Sequence, residues 1–183
     1  MTYDPRVVAN MILDVREAKG LETTNLQLQK LLYFCHAEFL MQTKSPLVKG
    51  VFEAWRNGPV NQVVYKAFKD AGKNPITKRA RKRNYIAREY EEFDESISEK
   101  GKAIVENTVR KLSQLTAWQL VDLSHATNGP WDYIVKSAQE GIVAGMRIPD
   151  DVTIRRYKYL KLNVGVDALS RSANVPLRPF EKR

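Results

Sequence analysis

The 183-residue chain carries one cysteine and two histidines, so thiol or imidazole chemistry rests on Cys35, His36 and His125. Cys35 and His36 are adjacent, which suggests a nucleophile and its base. Neighbours on a helix project about 100° apart, however, and their side chains do not meet across that angle. Cys35 lies on an apolar stripe, where a free cysteine packs as a small hydrophobe. Ser124-His125 invites a hydrolase reading, with Asp122 three residues before the histidine placed to hold its ring. Two features oppose it. His125 follows Trp118 by seven and Val121 by four, on the inward face of a helix, and the chain has no G-x-S-x-G elbow to expose a serine. His36-Ala37-Glu38 is half of a zinc-deaminase signature, but no P-C-x-x-C follows, and no zinc-ligand spacing occurs elsewhere. There is no G-x-x-x-x-G-K-[ST] loop and no G-x-G-x-x-G after a strand. These residues predict no enzyme, no cofactor and no metal, and instead a protein that binds another macromolecule.

The net charge of +9 is unevenly placed. Residues 73–90 and 155–183 contribute +6 each, which leaves −3 for everything else. The densest run is Lys78-Arg79-Ala80-Arg81-Lys82-Arg83, and a second cluster opens at Arg155-Arg156. Concentrated cations attract phosphate backbones or acidic protein surfaces. With Tyr85 and Tyr90 nearby, nucleic acid is a secondary expectation, because tyrosines stack on bases while cations neutralise phosphates. The same residues, Lys78, Arg79, Arg81, Lys82, Arg83, Arg155 and Arg156, are the candidates for binding a protein partner.

A single domain is expected from the length, and the 43% hydrophobic content is enough for a core. One cysteine allows no intramolecular disulfide. The start MTYDPRVV lacks a signal-peptide pattern, and no stretch reaches the roughly 18 to 20 apolar residues of a membrane span. A cytoplasmic protein without membrane contact is expected.

Helices announce themselves by their starts. Asp4-Pro5 pairs a capping carboxylate with a proline in the first turn, ahead of Val7, Val8, Met11, Ile12 and Val15. Thr24 with Gln27 forms a capping box before Leu28, Leu31, Leu32, Cys35 and Phe39. Residues 51–55 lean toward a short strand ending in the turn Asn57-Gly58-Pro59, and Pro59 suits a helix start. Residues 73–95 predict a long loop or irregular arm. Ser98 caps a helix to about Leu115, Thr116 caps a short one, Gly129-Pro130 opens another, and Ile148-Pro149-Asp150 a last. The sum is a mainly α fold: a compact bundle of about seven short helices with at most a small β hairpin, over residues 1–162, and an extended basic tail over 163–183.

Three segments in order carry a resemblance: Leu26 to His36, Phe52 to Val60 with Val64-Tyr65, and Leu120 to His125 leading to Gly129-Pro130-Trp131. Together they resemble the Panacea domain of SocA-like and GepA-like phage-associated proteins and of many antitoxins. The resemblance implies an antitoxin that neutralises a cognate protein toxin by direct binding. Implied partners include an alarmone-synthetase-like translation inhibitor and, for an adaptor role, a cytosolic protease. The matching motif residues are Lys30, Leu31, Tyr33, Trp55, Gly58, Pro59, Val60, Tyr65, His125, Pro130 and Trp131. Gly58-Pro59 and Gly129-Pro130 fix two chain reversals, and Trp55 and Trp131 are expected in the core.

Overall fold

The structure, a computed structural model, describes residues 2–84, 86–141 and 146–160. The expected basic tail at 163–183 and Tyr85 lie outside these residues. Within them the fold is mainly α, with seven helices: α1 (Pro5–Glu17), α2 (Asn25–Thr43), α3 (Gln62–Phe68), α4 (Glu99–Leu112), α5 (Ala117–Ser124), α6 (Pro130–Gln139) and α7 (Asp150–Arg156).

The helix starts follow their caps. Asp4 accepts from the Arg6 amide at 2.9 Å, and Ser98 from Gly101 at 3.2 Å. Thr24 with Gln27 and Thr116 with Gln119 form reciprocal capping boxes. Each satisfies amides that a helix start leaves without an internal partner.

Helix α2 is the axis of the fold, touched by α1, α3, α4, α5, α7 and the hairpin strand β2 (Gly58–Val60). Thirteen of its nineteen residues are buried, so it has no solvent face of ordinary width. Around it pack Val8, Ile12 and Leu13 of α1 and Ile104, Val105, Val109 and Leu112 of α4, all buried. Val7, Met11 and Val15, expected on the inner stripe of α1, are only partly buried. The stripe is rotated toward Ala9, Leu13 and Arg16. Arg16 is buried there because its guanidinium donates to Thr23 Oγ1 at 2.7 Å and to the carbonyls of Glu22 and Ser113 at 2.8 and 3.3 Å.

The β content exceeds the single hairpin. Strand β1 (Phe52–Trp55) pairs antiparallel with β2, Trp55 facing Gly58, and on its other edge with β5 (Arg147–Ile148). Pro59 therefore lies in a strand rather than opening a helix; α3 starts three residues later, where Asn61 accepts from the Val63 and Val64 amides at 3.1 and 3.3 Å. Within 73–95, expected to be irregular, β3 (Lys82–Asn84) pairs with β4 (Glu89–Glu91), setting Lys82 against Glu91. Opposite charges across the ladder supply what hydropathy does not.

Candidate functional site

A helix buried on every side must find partners for its polar side chains. On α2 these are Asn25, Gln29, Lys30 and His36. Lys30 lies beneath the β1–β2 hairpin, where its Nζ donates to the Pro59 carbonyl at 2.8 Å. Burial pushes its ammonium down to about 7. The hairpin comes this close because residue 58 is glycine. Its φ is +93°, and a Cβ there would stand 2.4 Å from Ser124 Oγ and 3.0 Å from Lys30 Cε and Nζ.

Ser124 and His125 end α5 against the same spot. The Ser124 hydroxyl donates to the Val121 carbonyl at 2.7 Å, so it is already engaged. The His125 ring stacks on Trp131 at 3.7 Å with 16° between planes, and Trp131 Nε1 donates to the Trp55 carbonyl at 2.8 Å. Trp55 meets Tyr65 edge-on at 5.0 Å. Motif residues spread from position 30 to 131 thus form one connected unit. Leu31 and Tyr33 sit beside it in the core, Tyr33 sharing a hydrogen bond with Thr153 at 3.3 Å; Val60 is buried, and Pro130 opens α6. Trp55 and Trp131, expected in the core, are each half-buried at its edge.

This unit is not assembled for acid–base work. Asp122, expected to hold the His125 ring, is exposed and makes no hydrogen bond to it; stacking on Trp131 holds the ring instead. His125 Nε2 is buried with no hydrogen-bond partner among the described residues. Burial and the Lys30 charge, against an opposing pull from Asp132, bring His125 down to about 4. A neutral ring beside an engaged hydroxyl and no orienting carboxylate does not form a serine–histidine relay. Cys35 and His36 face different neighbours: the thiol points at the Val105 carbonyl at 3.9 Å, and burial raises its pKa. His36 Nδ1 accepts from Val48 at 3.5 Å, so Nε2 carries the proton it donates to Asp150 at 3.0 Å. Among the described residues no cluster of His, Cys, Asp or Glu is placed to hold a metal ion.

Outside the buried unit, its edge forms a groove of about 760 Å³. Leu26, Trp55, Val60, Tyr65 and Trp118 wall it, while Arg56, Lys69 and Lys73 line it with charge. Trp118 is 58% exposed and Tyr65 38%, large apolar areas left to water. Trp118, read from its spacing as inward-facing, in fact stands over this groove. Sequence reasoning singled out none of Arg56, Lys69 and Lys73, and used Trp118 only to place His125.

The basic candidates lie elsewhere. Arg79 ion-pairs with Asp14 at 2.7 Å and with Glu17, and Arg81 with Glu92 at 3.2 Å. Lys78, Lys82 and Arg83 are exposed on and beside β3. Arg155 pairs with Asp151 at 2.7 Å, while Arg156 lies over the Tyr133 ring at 3.8 Å and donates to the Asn128 carbonyl at 3.1 Å. The structure does not bring these residues into the groove.

Fold and site together define a helical domain with a preformed aromatic groove and, among the described residues, no assembled catalytic relay. The family model described as Antitoxin SocA-like, Panacea domain, matches residues 28–132. A protein named Antitoxin SocA, from Caulobacter vibrioides (strain NA1000 / CB15N), is 39% identical over 169 residues, covering 90% of this chain and 88% of that protein. No solved structure matches. The chain belongs to the SocA-like antitoxin family, with the Panacea domain spanning the motif unit. Membership fits a non-enzymatic regulatory role. Among the described residues no helix is long and apolar enough to cross a membrane.

Proposed function

We propose that the protein is an antitoxin that silences a cognate protein toxin by holding it in a direct complex. The observation that carries this reading is the groove at the edge of the motif unit, where Trp55, Tyr65 and Trp118 expose aromatic surface beside Arg56. Trp, Tyr and Arg are the side chains that most often anchor protein interfaces. The groove is built on secondary structure and is therefore shaped before the partner arrives, which limits the ordering entropy lost on association. In this reading the exposed cations on and beside the β3–β4 hairpin and on α7, Lys78, Lys82 and Arg155 among them, steer an acidic partner rather than anchor it. An alarmone-synthetase-like enzyme is one toxin class the family resemblance implies.

Co-expression with the product of the adjoining gene tests the reading. Growth arrest by that product should be relieved by this chain, and the two should co-purify as a stoichiometric complex. No relief, or relief without a complex, would count against it. Relief that vanishes in a strain lacking the relevant cytosolic protease would reassign the chain to a proteolytic adaptor.

A further inference from the structure

Resting on the antitoxin reading, we propose that the groove between α2, α3, the β1–β2 turn and α5 receives an acidic segment of the partner protein that presents one large apolar side chain. Its walls supply the apolar half of this specification. Leu26, Trp55, Val60, Tyr65 and Trp118 line it, with Trp55 and Tyr65 in edge-on contact at 5.0 Å. Its volume of about 760 Å³ lies within the usual range of pockets that enclose a ligand.

Charge supplies the other half. Arg56, Lys69 and Lys73 line the groove, and among the described residues no carboxylate does. None of the three has an ion-pair partner among the described residues, whereas Arg6, Arg79, Arg81, Lys102, Lys136 and Arg155 each hold a carboxylate. Three unpaired cations around an apolar trough attract carboxylates while admitting a hydrophobe between them.

The floor separates a peptide from a nucleic acid. Its buried polar groups are Asn25 and Gln29, and both are engaged within the protein; Thr24 is held in its capping box, and Asn57 is exposed at the β1–β2 turn. Gln29 Oε1 accepts from the Asn61 amide at 2.9 Å, Gln29 Nε2 donates to Asn25 Oδ1 at 3.4 Å, and Asn25 Nδ2 donates to the Tyr65 carbonyl at 3.4 Å. Reading a base edge requires free donors and acceptors. An apolar side chain requires the opposite, a floor whose polar groups are already satisfied.

The test uses the full chain and defined probes: a fluorescent dodecapeptide with a central Phe flanked by Asp and Glu, the same peptide with Ser for Phe, its Lys-flanked counterpart, and a dodecauridine. Binding is read by anisotropy and by quenching of tryptophan fluorescence. The acidic Phe peptide should bind, weaken with salt as surface electrostatics are screened, and lose about tenfold or more in affinity on replacing Phe by Ser. Trp118→Ala should weaken it by a similar factor, as should the combined reversal Arg56→Glu, Lys69→Glu, Lys73→Glu. These side chains are on the surface, so the variants should keep the wild-type thermal midpoint. Equal binding of the Lys-flanked peptide, preference for the dodecauridine, or no binding of any peptide would overturn the proposal. In the co-expression assay the two readings separate. If the wild-type chain and the groove variants relieve toxicity equally, the groove proposal fails and the antitoxin reading stands; if the wild-type chain gives no relief, the antitoxin reading fails.

Discussion

Replacing Lys30 by Met should flatten the pH dependence of stability, and the size of the effect follows from the geometry. Lys30 is fully buried, its Nζ donating to the Pro59 carbonyl, and burial lowers its pKa from 10.5 to about 7. In the unfolded chain the amine returns to about 10.4. Between those values the unfolded state holds a proton that the native state has released, so stability rises with pH across the window. The slope approaches about 1.4 kcal/mol per pH unit, which gives about 1.5 kcal/mol between pH 7 and pH 8.5. His125, whose ring gains its proton only near pH 4 in the folded state, titrates mostly below pH 7 when unfolded. The Cys35 thiol, raised by burial, opposes the trend only from about pH 8.5 upward. Methionine has nearly the length of the lysine stem and no charge. It leaves the Pro59 carbonyl without a donor, at about 1 to 3 kcal/mol, but that loss is independent of pH. Urea unfolding followed by tryptophan fluorescence at half-unit steps should show the wild type rising and the variant level. A flat wild type, or an equal rise in Lys30→Met, would refute the buried-amine account.

Two further substitutions probe the same architecture. Gly58→Ala should lower stability by about 2 to 4 kcal/mol, from a positive φ that L side chains resist and from the 2.4 Å approach to Ser124 Oγ. Adding Ser124→Ala should recover part of that loss in a double-mutant cycle; strict additivity would show that the hairpin does not close against α5 as described. Arg79→Ala should cost less than about 1 kcal/mol despite its two ion pairs, because Asp14 and Glu17 are largely exposed, 64% and 75% at their side chains. A thermal midpoint that falls by more than about 8 °C, with no recovery of the difference in high salt, would contradict that.

Elements whose signals are local were legible in the sequence. Asp4-Pro5, Thr24 with Gln27, Ser98, and Thr116 with Gln119 each start a helix where expected, because a cap is a contact within four residues. Failures came where a distant partner decided the matter. Pro59 has the φ of a helix start, yet its carbonyl is required by Lys30, twenty-nine residues away, and this holds it in the hairpin. Strand β5 is two residues long, too short to show a period. In β3 and β4 all side chains are exposed or half-exposed, and the ladder pairs charges, so an apolar alternation was never there to be read.

The motif residues were legible as an ordered set, but their joint purpose was not, and α2 shows why. Its apolar residues occupy positions 26, 28, 31 to 35, 37 and 39 to 41, which leaves no continuous polar face. A helix so patterned is buried all round, and Gln29, Lys30 and His36 must then be buried with it; this inference was available without coordinates. Trp118 posed the harder problem. It lies three residues before Val121 and so shares a side with a buried residue, yet it stands in the first turn of α5. Side chains on a helix lean toward its N-terminus, so a bulky first-turn residue projects past the helix start and is covered only if another element lies beyond it. Beyond the start of α5 lies the groove edged by Tyr65 and Lys69, and the indole is left in water. What separates core from exposed groove here is the end of a helix, which periodicity within that helix does not report.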